Sequence, residues 1–227
     1  MLQILPFRQI LLLRHCRSYA TVSPSVLRLG DDRLRQVSRD ISMSELPPNN
    51  RSLAVDAALK DSHAALAAFR ATHGFGRGLA APQVGHPLRI VALHIGTQYG
   101  AQYCLDDVCG PFSMINPCIV DRSDAMFSLW DDCMSLVDTE GEMMMVRLIR
   151  HQHVSVAFLD ENGKSHLWEN LPVPFSELVQ HELDHLDGVL AVDRAVDEKD
   201  AVLPRSDWLR MKDDMVKLVD YEIVPTV

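Results

Sequence analysis

The chain has 227 residues, 47% hydrophobic and 23% charged, enough for one well-buried domain with appendages; this composition excludes disorder throughout. A formal net charge of -9 argues against a protein that binds nucleic acid directly. No apolar run reaches the roughly 18 to 20 residues that cross a bilayer, so no membrane span is expected.

Residues 1–20 carry Arg8, Arg14 and Arg17 among apolar clusters and contain no acid. That pattern predicts a mitochondrial transit peptide and a protein of the matrix. Residues 21–195 then form the main domain, and 196–227 a helical extension packed on its outside. A polar lead-in with Pro24, Pro47 and Pro48 precedes a helix over 51–73, where Leu53, Leu59, Leu66 and Phe69 recur and Gly74 ends the run. Between Gly74 and Gly85 the small residues Gly76, Gly78, Ala80 and Ala81 allow another chain to approach closely, and Gln83 stands among them. No long helix follows, so a dinucleotide- or phosphate-binding loop is a poor reading of these glycines.

Strands are predicted over 88–95 and 112–120, and Glu161-Asn162-Gly163 predicts a hairpin of 153–160 with 164–169. His151 and His153 would share one strand face, a pair more often surface decoration than metal ligands. The five cysteines, Cys16, Cys104, Cys109, Cys118 and Cys133, are odd in number and irregular in spacing. They read as buried or ligating thiols, not as a disulfide framework.

From Phe175 the apolar positions Leu178, Leu183 and Leu186 recur at helical spacing until Gly188. Pro174 would fix an extended approach and Ser176 would cap a half-buried helix. On it His181 and His185 lie four residues apart, so both imidazoles can reach one cation, with Glu182 beside them. This His-Glu-x-x-His arrangement supplies two ligands, whereas a hydrolytic site uses three and leaves one position open. No histidine follows His185, so the third ligand comes from upstream or, as in a zinc endopeptidase, from an acid such as Asp187 or Asp193. Residues 189–192 read as a short strand.

Three motifs now stand in order: Gly76-Arg77-Gly78-Leu79-Ala80-Ala81-Pro82-Gln83, Asp131-Asp132-Cys133-Met134-Ser135, and Gln180-His181-Glu182-Leu183-Asp184-His185. Together they resemble the three signature motifs of the peptide deformylases, the second only in part. The resemblance implies an α+β fold, with mixed or antiparallel sheets around a central metal-binding helix. It implies one divalent metal, Fe2+ or Zn2+ with Ni2+ or Co2+ as substitutes, held by Cys133, His181 and His185. It further implies that Glu182 moves the proton while Gln83 and the backbone N–H of Met134 meet the oxyanion. The implied substrate is an N-formylmethionyl peptide or nascent chain, met near the ribosome and contacted by Arg77, Gly78, Leu79 and Asp132. A competing reading keeps the metal in a peptide-binding module with weak or altered activity.

This chain departs from the family pattern at Asp131 and Asp132, where Glu-Gly is usual, and at Arg77, where an apolar residue is usual. Opposite charges on facing motifs lead to the expectation that Arg77 and Asp132 pair across the groove.

Overall fold

The computed structural model describes residues 25–47, 49, 51–96 and 110–223. The transit-peptide reading of residues 1–20, and Cys16, Cys104 and Cys109, fall outside the described residues.

Helix α1, Leu53–His73, begins where the Ser52 hydroxyl accepts the Val55 N–H and stops where Gly74 turns to φ +76°. Five strands form one antiparallel sheet in the order β1 (Gly78–Ala80), β2 (Ile90–His94), β3 (Pro111–Arg122), β6 (Val154–Leu159), β7 (Ser165–Trp168). The expected hairpin is β6 and β7, with Gly163 at φ +79° in its turn. A second antiparallel sheet holds β4 (Met126–Val137), β5 (Met143–His151) and β8 (Val202–Pro204).

Helix α2, Val173–Leu186, runs through the middle, and every residue from Pro174 to Leu186 is buried. Phe175, Leu178, Val179 and Leu183 pack on Val91, Met114 and Val156 of the first sheet. Gln180 fastens the helix to the end of β5, accepting the His151 N–H at 3.0 Å and donating to the His151 carbonyl at 2.9 Å. The architecture is therefore α+β, a buried helix between two antiparallel sheets.

The helix differs from its expected form in three ways. It is buried, not half-buried, because both sheets cover it. It starts one turn earlier, with Pro174 in the first turn, where a missing N–H breaks no helical bond. Ser176 is then inside, and its hydroxyl donates to the His151 carbonyl at 2.8 Å in place of capping. Gly188 does end the segment, at φ +72°.

Two expectations fail beyond it. Residues 189–192 do not form a strand; Asp193 accepts the Leu190 N–H at 2.8 Å and winds Ala191–Arg194 into a 3-10 turn. His151 and His153 do not share a strand face but flank the turn between β5 and β6. Their Nδ1 atoms face the carbonyls of Ser123 and Leu171 at 2.8 and 3.0 Å, which joins neighbouring segments.

The C-terminal segment also differs from a plain helical extension. It starts with β8, then forms two short helices, α3 (Arg205–Arg210) and α4 (Lys212–Met215), and returns to the edge of β4. There Asp220 accepts both the Ser128 N–H and its hydroxyl, at 2.9 and 2.8 Å, and the Tyr221 ring meets Phe127 edge-on.

Candidate active site

The lead-in brings the first two motifs together. The Leu27 N–H donates to the Gln83 carbonyl at 2.7 Å, and the Leu29 N–H donates to the Ser135 carbonyl at 2.8 Å. Strand β4 thereby lies alongside the 3-10 turn Ala81–Val84 that carries Gln83. Within β4 the pairing with β5 runs regularly to Asp132 and resumes at Val137, so Cys133 and Met134 occupy the irregular stretch between.

Cys133 of β4 meets His181 and His185 of α2. One donor atom from each of the three lies within 4.8 Å of the others, and all three residues are buried. The Cys133 Sγ is 3.2 Å from His185 Nε2. Two donors point at the sulfur: the Ser135 N–H at 3.4 Å and Gln83 Nε2 at 3.5 Å. Gln83 is itself held, its Oε1 accepting the Ala80 N–H at 2.8 Å and its Nε2 also donating to Ser135 at 3.1 Å. The amide N–H face is thus presented to the cysteine side of the cavity.

Asp131 sets the orientation of His181. Its Oδ2 faces His181 Nδ1 at 2.8 Å, which leaves Nε2 of that ring for the cluster. Burial alone would lower the His181 pKa, but the charge and hydrogen bond of Asp131, with smaller help from Cys133, raise it well above the ordinary value. Burial opposes ionisation of Asp131 as well, yet His181 and Arg150 hold its pKa well below the carboxylate range. His185 goes the other way: burial, then the neighbouring charge of His181, push it well below the usual imidazole value. Its Nδ1 has no hydrogen-bond partner among the described residues.

Behind this pair runs a chain of charge from the interior to the surface, where Arg194 is exposed. Arg150 of β5 donates to Asp131 at 3.2 Å and to Asp184 at 2.9 Å, and Arg194 grips Asp184 through Nε and Nη2 at 2.7 and 2.6 Å. Asp184 lies in the third motif, three residues from His181. Nothing local in the sequence singles out Arg150 or Arg194.

Glu182 is buried beside the cluster, and its Oε2 has no hydrogen-bond partner among the described residues. Burial raises its pKa to about 7, with Asp131 and Glu177 adding to the rise and His181 and Arg77 opposing it. A carboxyl poised there can exchange a proton near neutral pH. Its place depends on Gly78, where a β-carbon would stand 2.8 Å from the carboxyl carbon of Glu182.

A cavity of about 200 Å³ opens onto these groups, lined by Arg77, Gly78, Gln83, Asp132, Met134 and Glu182 among others. Leu79, expected at the substrate, is fully buried and packs on Leu66 and Ala92 below it, so it supports the wall from behind. Arg77 does not form the expected pair with Asp132. Its guanidinium pairs with Glu177 at 2.5 Å and donates to the Pro174 carbonyl at 3.0 Å. Asp132 remains half-buried without an ion pair among the described residues; burial and the charge of Asp131 raise its pKa, and Arg77, His181 and Arg205 oppose the rise. Glu177 was missed, although its place one helical turn before His181 could have marked it as facing the same cavity. The opposite wall comes from the C-terminal segment, including Arg205, Trp208 and Val219, which the sequence had placed outside.

The donor set of one thiol and two imidazoles suits a borderline divalent cation such as zinc or ferrous iron. Comparison with known proteins gives a consistent result. The family model described as polypeptide deformylase matches residues 24–201. Peptide deformylase 1A, chloroplastic, of Solanum lycopersicum is 30% identical over 182 residues, 75% of this chain; the chain spans 59% of that relative's length. The crystal structure of a peptide deformylase from Legionella pneumophila superposes with a TM-score of 0.60 at 25% identity, covering 87% of this chain and 97% of that one. A Met-Ala-Ser-bound class I type b peptide deformylase from Acinetobacter baumannii gives 0.57 at 26% identity, covering 76% and 98%.

Proposed function

Because the chain belongs to the polypeptide deformylase family, we propose that it hydrolyses the formyl group from the N-termini of newly made, formylated polypeptides, methionine-initiated chains included. The observation that carries this reading is the convergence of Cys133, His181 and His185 beside Glu182, whose Oε2 has no hydrogen-bond partner among the described residues. Cys133 Sγ and the imidazoles of His181 and His185 would hold one divalent cation, ferrous iron or zinc, with nickel or cobalt as substitutes. Such a cation supplies Lewis acidity and an activated water near neutral pH.

The remaining work falls to the chain's own groups. Gln83 Nε2, fixed by its bond to the Ala80 N–H, and the Met134 N–H donate to the oxygen of the formyl group as it gains charge. Glu182 accepts a proton from the attacking water and returns it to the departing amine, so that the C–N bond breaks as formate and a free amino terminus form. Asp131 keeps the His181 ring aimed, and Gly78 keeps room for the carboxyl. The site of action is an organelle, the mitochondrial matrix, on the strength of the acid-free, arginine-bearing stretch 1–20. No described helix is long and apolar enough to cross a membrane.

Formate release from formyl-Met peptides by anaerobically purified, iron-loaded protein tests the proposal. Activity lost in Glu182→Ala supports it. Charged residues in the cavity wall favour a second reading, a metal-holding peptide-binding protein with weak turnover. Binding of formyl peptide without formate release would select that one.

A further inference from the structure

Beside the metal cluster the cavity wall carries charged side chains among apolar ones such as Met134 and Leu178, and the positions of those charges matter for what fits there. Glu177 sits one helical turn before His181, Asp132 precedes Cys133, and Arg77 precedes Gly78, the residue against which the Glu182 carboxyl lies. All three line the cavity. The Arg77–Glu177 pair is 2.5 Å long, with side chains 10% and 1% exposed. A buried ion pair stabilises a fold no better than well-packed apolar residues of similar volume, so stability alone gives no reason for it here. Asp132 adds a carboxyl group that forms no ion pair among the described residues, and Arg205, from the segment beyond the residues matched by the family model, lines the same cavity.

The charged side chains share one cavity with Cys133 and His181, so the first substituent on the nitrogen of a substrate whose acyl carbon reaches the cluster comes within their reach. An apolar substituent strips water from the charges and returns no hydrogen bond, whereas one that donates hydrogen bonds satisfies Asp132. We propose that this pocket selects acylated amines whose first side chain carries a hydrogen-bond-donating polar group, an amide or an ammonium, over methionine. The juxtaposition of Arg77, Glu177 and Asp132 around the cluster is the basis. The inference rests on the deformylase reading for its reaction and concerns only which formylated termini are preferred.

The test uses metal-loaded, full-length protein with formyl-X-Ala-Ser peptides in which X is Met, norleucine, Gln, Lys or Glu. Equilibrium binding of the corresponding unformylated X-Ala-Ser peptides is measured in parallel. Gln and Lys are expected to exceed Met and norleucine at least tenfold in kcat/KM and in affinity, with Glu below both. Asp132→Asn should lower the Lys-to-Gln ratio about tenfold, and the double variant Arg77→Ile, Glu177→Leu should shift preference toward Met. Wild-type protein that favours Met or norleucine overturns this inference and leaves the deformylase reading intact. Gln and Lys preferred in binding without any formate release overturns that reading and keeps the pocket assignment. Absence of both binding and turnover overturns both.

Discussion

Asp131 Oδ2 stands 2.8 Å from His181 Nδ1, and the same carboxylate is held from behind by Arg150. The ring therefore has one nitrogen committed to the protein and one free for the cluster. Replacing that carboxylate with an amide should weaken metal binding: Asp131→Asn is expected to lower affinity about tenfold to a hundredfold, measured by competition with a chelator. An unchanged affinity would mean that packing alone sets the ring.

Arg150 is 2% exposed at its side chain and stands between two acids, Asp131 and Asp184. Arg150→Leu leaves Asp131 buried without a cation behind it, while Asp184 keeps Arg194. The expected loss of stability is about 3 to 5 kcal/mol in urea unfolding. Restoring most of that stability by pairing Arg150→Leu with Asp131→Asn would locate the loss in the stranded carboxylate.

Glu182 has a pH signature in the metal-free protein. Its pKa is about 7 in the fold against the ordinary glutamate value of 4.5, so between those values the folded state binds more protons than the unfolded state. Stability then falls as pH rises through that window, by roughly 3 kcal/mol in all. Glu182→Gln removes the dependence. In chelator, the variant should melt higher than the parent at pH 8 and at a similar temperature near pH 4.5; parallel melting curves at both pH values would refute the assignment.

Gly78→Ala tests the close approach of β1 to the helix. A methyl group there meets the Glu182 carboxyl, which must swing away. Overpacking of this kind costs about 1 to 3 kcal/mol. Formate release should fall at least tenfold in kcat while metal content stays stoichiometric, because none of the three ligands moves. Loss of metal together with activity would show that the glycine supports the cluster as a whole.

What could be read before folding was whatever has a local pattern. Helix α1 carries its start in Ser52 and its stop in Gly74, the β6–β7 hairpin carries its turn in Gly163, and the two histidines of α2 announce each other by spacing. Contacts between distant segments left no such trace. The partner of Arg77 lies on another element at Glu177, and a charge rule applied to the two flanking motifs chose Asp132 instead. The early start of α2 was missed because Pro174 and Ser176 are ordinary residues both before and inside a first helical turn. The C-terminal segment was placed outside because its apolar residues, Trp208 and Val219 among them, fit an external helix as well as a cavity wall. Only the return of Asp220 and Tyr221 to β4 decides between these.

X-ray absorption at the metal edge of zinc-loaded protein tests the central claim most directly. One sulfur at about 2.3 Å and two imidazole nitrogens at about 2.0 to 2.1 Å are expected, with the sulfur shell absent in Cys133→Ser. A wild-type spectrum with only nitrogen and oxygen neighbours would contradict the assignment of Cys133, and with it the site.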